Sequence, residues 1–123
     1  MPQTALVVDD SMLIRHSVCR FFEDRGFRVE SATNGSEALE MLAKVSPDVI
    51  VTDLQMPKMD GRELIAALKA DPRTANIPIV ILAGKQAAAE ELEAGASYVI
   101  HKDIDITAQL DRVLDLILPG SRA

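Results

Sequence analysis

The chain of 123 residues and 13.4 kDa is long enough for one domain and too short for two independent hydrophobic cores. Its 48% hydrophobic and 26% charged residues are typical of a globular protein and exclude an intrinsically disordered or low-complexity chain. The 19 acidic residues outnumber the 13 basic ones, giving a formal net charge of -6, and the sequence lacks the basic patch expected of a nucleic-acid-binding protein.

Short apolar runs alternate with segments of helical periodicity along the chain. Most of the runs have the continuous hydrophobicity of strands that are buried on both faces. We predict five strands, at 5–8, 27–30, 48–52, 78–82 and 97–101. The first helix is expected to have Ser11 as its N-cap and to be closed by Gly26. Apolar stripes predict three further helices, with Ala38 and Leu42 in the second, Leu64 and Leu68 in the third, and Leu110 and Leu114 in the last. An Ala/Glu-rich composition predicts a short fourth helix over 85–94.

Five strands that alternate with five helices predict parallel βαβ units in an open, doubly wound α/β sheet. We expect residues 1–123 to form a single domain, with 118–123 as a tail or the start of a linker. The single cysteine, Cys19, excludes an internal disulfide, and the longest apolar run, 77–83, is too short to span a bilayer. Because no positively charged secretory signal is visible at the start, we expect a cytoplasmic protein that does not contact membranes.

Charged residues stand at the carboxyl ends of the predicted strands, where ligands bind in sheets of this kind. Asp9 and Asp10 follow the first strand, Asp53 the third and Lys102 the fifth. A single aspartate there is equally well explained by the preference of acids for loops, so the inference depends on the coincidence of all four. If their strands are neighbours, three carboxylates and one ammonium meet in one crevice. That set favours Mg²⁺ and phosphoryl transfer to a carboxylate, with Lys102 facing the phosphate.

Three segments carry a resemblance to a known family: LVVDDS at 6–11, VTDLQMPKMDG at 51–61 and EAGASYVIHK at 93–102. The second is the most specific, because an aspartate that ends a strand is followed at fixed distances by Met-Pro and by Gly. Over residues 4–118 the chain resembles the receiver domains of two-component response regulators, including the chemotaxis regulators. The resemblance implies a flavodoxin-like (βα)5 fold with the strand order 2-1-3-4-5.

Carried over by position, the resemblance implies that Asp53 is the phosphoacceptor and that Lys102 contacts the acyl phosphate. Mg²⁺ would be held by Asp9, Asp10, Asp53 and the backbone carbonyl of Gln55. A sensor histidine kinase or a phosphotransfer protein would donate the phosphoryl group, and an output domain or a downstream protein would receive the signal, without direct contact with nucleic acid. The domain would be a signalling phosphoacceptor rather than an enzyme, limited to its own phosphorylation and slow autodephosphorylation.

The sequence departs from the family pattern at the end of the fourth strand and beyond it. Ala83 stands where the family has a Thr or Ser whose hydroxyl binds the phosphoryl group and couples it to the face formed by the fourth helix, fifth strand and last helix. The segment 83–95 is a few residues shorter than usual, which predicts a stunted fourth helix. Val99 takes the place of an aromatic switch residue, with Tyr98 one position early, and Asp103 replaces the proline after the lysine.

These departures leave two interpretations open. The chain is either a phosphorylatable receiver or a pseudo-receiver, an interaction module in which phosphorylation switching is weakened or lost. The set of site residues favours the first, whereas Ala83 and the short fourth helix favour the second. An FMN-binding protein of the same topology is disfavoured, because Asp9 and Asp10 would repel the phosphate at the position where such a protein needs a phosphate loop.

Overall fold

A five-stranded parallel sheet forms the centre of the computed structural model, which describes residues 3–53, 59, 61–83, 98–102 and 105–117. The strands are β1 (Thr4–Val8), β2 (Arg28–Ala32), β3 (Val49–Asp53), β4 (Ile79–Ala83) and β5 (Tyr98–His101). The described helices are α1 (Met12–Glu23), α2 (Gly35–Leu42), α3 (Gly61–Ala70) and α4 (Ile106–Ile117). All pairs are parallel in the order β2-β1-β3-β4-β5, so the predicted fold class is confirmed. The helix predicted over 85–94 and the tail 118–123 lie outside the described residues.

Two apolar cores cover the two faces of the sheet. Successive strand residues alternate between the cores, so that Ala5 joins the core under α1 and α4 whereas Leu6 joins the core under α2 and α3. In the first core, the ring of Phe22 makes edge contacts with Phe21 and Phe27, with centroids 5.1 Å apart in both pairs. Each such fully buried side chain stabilises the fold by about 1.5–3 kcal/mol. None of the described helices is both long and apolar enough to cross a membrane.

Both ends of α1 are closed by the residues that the sequence predicts. Ser11 caps α1 as predicted, with its side-chain oxygen accepting from the Ile14 N–H at 3.4 Å. The helix ends at Glu23, and Gly26 closes it with a φ of 83° that costs glycine little, since the Gly26 N–H donates to the Glu23 carbonyl at 3.0 Å and the Phe27 N–H to the Phe22 carbonyl at 3.1 Å. β2 was predicted at 27–30 but lies at Arg28–Ala32, because it pairs with β1 along its whole length.

Gly35 allows Met59 to lie against the start of α2. Its N–H donates to the carbonyl of Met59 at 3.0 Å, beside the N-cap residue Asn34. A Cβ atom at position 35 would lie 2.8 Å from both the Met59 carbonyl oxygen and Met59 Cγ, closer than van der Waals contact allows. Glycine is therefore required for Met59 to approach the start of α2 this closely.

We expect Gly35→Ala to lower the free energy of unfolding by about 1–2 kcal/mol, because overpacking against Met59 outweighs the better helix propensity of alanine. Ser36→Ala is the matched control, since Ser36 is exposed in the same helical turn, and it should change stability by less than roughly 0.5 kcal/mol. Urea denaturation measures both. Equal stability of the two variants would show that the Met59 segment moves aside without cost.

Candidate functional site

Asp9 lies fully buried directly after β1. Its backbone N–H donates to the Ala32 carbonyl at 3.1 Å, and its carbonyl accepts from Nη1 of Arg15 at 2.8 Å. Its Oδ1 accepts from the Ser11 N–H at 2.8 Å. These contacts from β2 and α1 fix the turn after β1 and hold the carboxylate at the carboxyl edge of the sheet.

Lys102 places its ammonium between two carboxylates. Asp53, the last residue of β3, pairs with Leu82 and is only 7% exposed. Lys102 follows β5, and its N–H donates to the Ala83 carbonyl at 2.8 Å. Its Nζ lies 3.0 Å from Asp53 Oδ1 and 3.5 Å from Asp9 Oδ2. The structure thus brings together three of the predicted site residues from the ends of three strands.

The electrostatic balance at this edge is unfavourable for Asp9. Burial raises the pKa of its carboxyl group above the usual value, and the carboxylate of Asp53 raises the pKa further. The Ser11 N–H and the Lys102 ammonium act in the opposite direction without cancelling the effect of burial. Asp9 Oδ2 also accepts no hydrogen bond within the described part of the chain. The single Lys102 ammonium therefore does not balance the charge of both carboxylates that it contacts.

Asp10 completes an acidic cluster with Asp9 and Asp53, in which one carboxylate oxygen of each residue lies within 4.8 Å of the other two. Asp10 is exposed, so the cluster has an open side. Carboxylate oxygens are ligands for hard divalent cations, and Asp9 Oδ2 is a buried oxygen with ligating capacity left over. A small set of protein oxygens with an open side fits Mg²⁺, which keeps several waters. Gln55, predicted to add its carbonyl, lies outside the described residues.

The positions at which the sequence departs from the family pattern lie on β4 and β5. Ala83 ends β4, is 1% exposed and packs in the core under α2 and α3. Val99 packs against this same core, whereas Tyr98 packs against the core on the other face of the sheet. The position without a hydroxyl and Val99 therefore share one face. Residues 84–95 of the shortened segment, and Asp103, are not among the described residues.

Two polar side chains that contact the backbone at the site, those of Arg15 and Gln109, were not predicted from the sequence. Arg15 lies four residues after the N-cap Ser11, so helical geometry brings it back over the turn that contains Asp9. This four-residue spacing is visible in the sequence and could have indicated the contact. Gln109 accepts from the His101 N–H at 3.0 Å and donates to the His101 carbonyl at 2.9 Å. Its neighbour Leu110 belongs to the apolar stripe of the helix, and no local pattern indicates the role of Gln109.

Comparison with protein families and characterised relatives gives a match over most of the chain. The family model of the response regulator receiver domain matches residues 5–114. Response regulator MprA of Mycolicibacterium vanbaalenii is 34% identical over 120 residues, which are 95% of this chain and 51% of that protein. The chain therefore spans about half the length of the curated relatives that it matches.

Comparison with solved structures gives the same fold. The chemotaxis response regulator CheY4 of Vibrio cholerae has a TM-score of 0.86 and 31% identity, covering 96% of this chain and 100% of that one. The receiver domain of sensor histidine kinase PA1611 from Pseudomonas aeruginosa PAO1 was solved with a magnesium ion coordinated in its active site cleft. It has a TM-score of 0.87 and covers 98% of this chain and 100% of that one, but at 24% identity it supports the shared fold alone.

We expect Asp9→Asn to raise the stability of the metal-free protein near pH 7 by roughly 1 kcal/mol, or about 4 °C in Tm. The folded-state pKa of Asp9 is raised, so the folded chain holds this proton more tightly than the unfolded chain, and wild-type stability falls as pH rises through that pKa. The gain from Asn should therefore shrink as pH falls toward the ordinary value of 3.8.

Thermal unfolding in EDTA from pH 4 to pH 8 measures this difference. Asp24→Asn is the control, because Asp24 is exposed at the opposite end of α1, and it should stay within roughly 0.5 kcal/mol of wild type. A lower Tm for Asp9→Asn at neutral pH would mean that Ser11 and Lys102 compensate the buried charge fully.

Proposed function

Because this chain belongs to the family of response regulator receiver domains, we propose that it accepts a phosphoryl group on Asp53 in a two-component signalling system. A sensor histidine kinase or a phosphotransfer protein donates the group, and an output domain or a downstream protein responds to it. The observation that carries the proposal is the Lys102 ammonium, 3.0 Å from Asp53 Oδ1, inside a cluster of three carboxylates. This geometry combines a nucleophile, a fixed cation and a set of oxygen ligands for a divalent metal.

Asp53 suits the role of nucleophile better than its two neighbours. Asp9 is fully buried and bound by the Ser11 N–H, and Asp10 is exposed and is not paired with Lys102 in the structure. A carboxylate oxygen of Asp53 attacks phosphorus, and the bond from phosphorus to the donor's nitrogen or oxygen breaks. The products are an acyl phosphate on Asp53 and the free donor. The backbone of Asp53 is held in the β3–β4 ladder, so its carboxylate stays aimed during transfer.

Lys102, together with a divalent metal at the acidic cluster, would compensate the negative charge of the phosphoryl group. From 3.0 Å away, the Lys102 ammonium can pair with Asp53 before transfer and with a phosphoryl oxygen after it. When bound, Mg²⁺ offsets the negative charge of the phosphoryl oxygens and of the carboxylates. Asp9, Asp10 and Asp53 would hold it, and the family resemblance implies that the backbone carbonyl of Gln55 would join them. The under-satisfied Oδ2 of Asp9 supports this ligand set.

Asp53→Asn should abolish phosphoryl acceptance while leaving the fold intact, since asparagine has nearly the same shape but is not a nucleophile. Incubation with acetyl phosphate and Mg²⁺, followed by a gel that retains acyl phosphates, measures the modification. Asp24→Asn is the matched control and should be labelled like wild type. Undiminished labelling of Asp53→Asn would exclude Asp53 as the acceptor.

Asp10→Ala should weaken Mg²⁺ binding by about tenfold or more, because it removes one charged ligand from a site with few protein ligands. Titration with MgCl₂, followed through the amide signals of Asp9 and Asp53, measures the affinity. Asp24→Ala removes the same charge far from the cluster and should leave the curve unchanged. An unchanged curve for Asp10→Ala would place the metal elsewhere.

A second candidate function is that of a pseudo-receiver, and the observation that favours it is Ala83. The side chain that ends β4 next to Asp53 has no hydroxyl to bind a phosphoryl oxygen. A hydrogen bond to a charged group contributes roughly 1.5–3 kcal/mol, enough to decide a two-state equilibrium. Without it, phosphorylation can occur while its effect on the Val99 region is weak.

Binding of beryllofluoride, a phosphoryl analogue, in the presence of Mg²⁺ should therefore shift amide signals strongly near Asp53 and only slightly near Val99. In Ala83→Thr the response of the Val99 signals should grow. Ala83→Val is the control, because valine has the shape of threonine but lacks its hydroxyl, and it should behave like wild type. Chemical-shift mapping of the three proteins decides this. A full Val99 response in wild type would show that the missing hydroxyl does not matter, and absence of any response would favour the pseudo-receiver.

A further inference from the structure

Gln109, in the first turn of α4, binds the backbone on both sides of Lys102. Its Oε1 accepts from the His101 N–H at 3.0 Å, and its Nε2 donates to the His101 carbonyl at 2.9 Å. Nε2 also donates to the carbonyl of Asp105 at 3.2 Å. A single side-chain amide therefore joins the backbone of His101, directly before Lys102, to that of Asp105.

The position of β5 explains what this amide replaces. Among the described strands β5 is the last in the sheet order, so the outer backbone groups of its residues have no neighbouring strand in that part of the chain to bond. On the inner side, the Lys102 N–H is held by the Ala83 carbonyl at 2.8 Å. On the outer side, Gln109 supplies both a donor and an acceptor to His101, as a further strand would. The end of β5 is thus held from both sides immediately before Lys102.

Asp105, the second residue whose backbone Gln109 contacts, is itself held at the start of α4. Its Oδ1 accepts from the Ala108 N–H at 3.2 Å and from the Thr107 hydroxyl at 2.9 Å. Residue 103 is Asp, so the sequence places no proline ring directly after Lys102. Among the described residues, the Gln109 side chain therefore links His101, directly before Lys102, to the start of α4.

We propose that Gln109 is a positioning residue for Lys102: its amide fixes the backbone of His101, directly before Lys102, and thereby holds the Lys102 ammonium at Asp53. The inference rests on the proposed phosphoacceptor function, because the ammonium is positioned for the phosphoryl group. Among the described residues, Gln109 forms no hydrogen bond with Asp53, Asp9 or Asp10, so we expect its effect on binding a phosphoryl analogue to pass through Lys102.

Gln109→Met tests the proposal, because methionine keeps the length of the side chain and removes its hydrogen bonds. Ala108→Met is the matched control, which adds the same side chain at the neighbouring exposed position. In the metal-free protein, Gln109→Met should exchange the His101 amide hydrogen roughly fivefold faster and shift the side-chain Cε and Nζ signals of Lys102 toward those of free lysine. With Mg²⁺ present, its affinity for beryllofluoride should fall by about tenfold. Ala108→Met should leave all three quantities unchanged.

A purely structural role for Gln109 gives a different pattern. It predicts a lower Tm with unchanged Lys102 signals and unchanged beryllofluoride affinity well below the Tm, and that result would overturn the proposal. A double-mutant cycle adds a second criterion: in a Lys102→Met background, Gln109→Met should cause no further loss of affinity. An equal loss in both backgrounds would also overturn the positioning role. If wild type itself neither binds beryllofluoride nor accepts phosphate, the phosphoacceptor function fails and the inference fails with it.

Discussion

The pairing of one ammonium with two buried carboxylates is the interaction on which the carboxyl edge of the sheet depends. Lys102 Nζ lies 3.0 Å from Asp53 and 3.5 Å from Asp9, yet burial still raises the pKa of Asp9. Charges of like sign that are held together at low exposure are costly unless a cation balances them. The site therefore has an excess of negative charge, which a divalent cation can balance. The electrostatic cost of the site without such a cation and its proposed function have the same physical origin.

The apolar strands make such an arrangement possible. Asp9 follows β1 and Asp53 ends β3, two strands whose interior residues are almost completely buried, as Val7 and Val51 are at 0% exposure. The cores on the two faces of the sheet supply the stability, and the ladders fix the backbone at the strand ends. Because the backbone at both positions is held by pairing, Asp9 and Asp53 cannot move apart to relieve the repulsion between their carboxylates. The scaffold thus preorganises the site before any ligand arrives.

Local patterns predicted most of the fold and the convergence of the site, whereas contacts between distant segments were not predictable. Continuous apolar runs and helical stripes are short-range signals, and parallel strands place their carboxyl ends on one edge by topology. The strand order came from the resemblance, since periodicity does not specify neighbours. Gly35 looks like an ordinary glycine at a helix start until Met59 is placed 2.8 Å from its missing Cβ. The contact of Gln109 with His101 likewise depends on how α4 packs beside β5, which no local pattern encodes.

Under the proposed function, Asp53 and Lys102 would accept and contact the phosphoryl group and match the family pattern, whereas Ala83 and Val99, which would respond to it, depart from that pattern. The location of the phosphoryl group tests the central proposal most directly. Wild-type protein treated with acetyl phosphate and Mg²⁺ can be reduced with borohydride, which converts an aspartyl phosphate to homoserine, and then mapped by peptide mass spectrometry. We predict homoserine at position 53 and none when Mg²⁺ is omitted. Homoserine at another aspartate, or none in folded protein, would contradict the assignment.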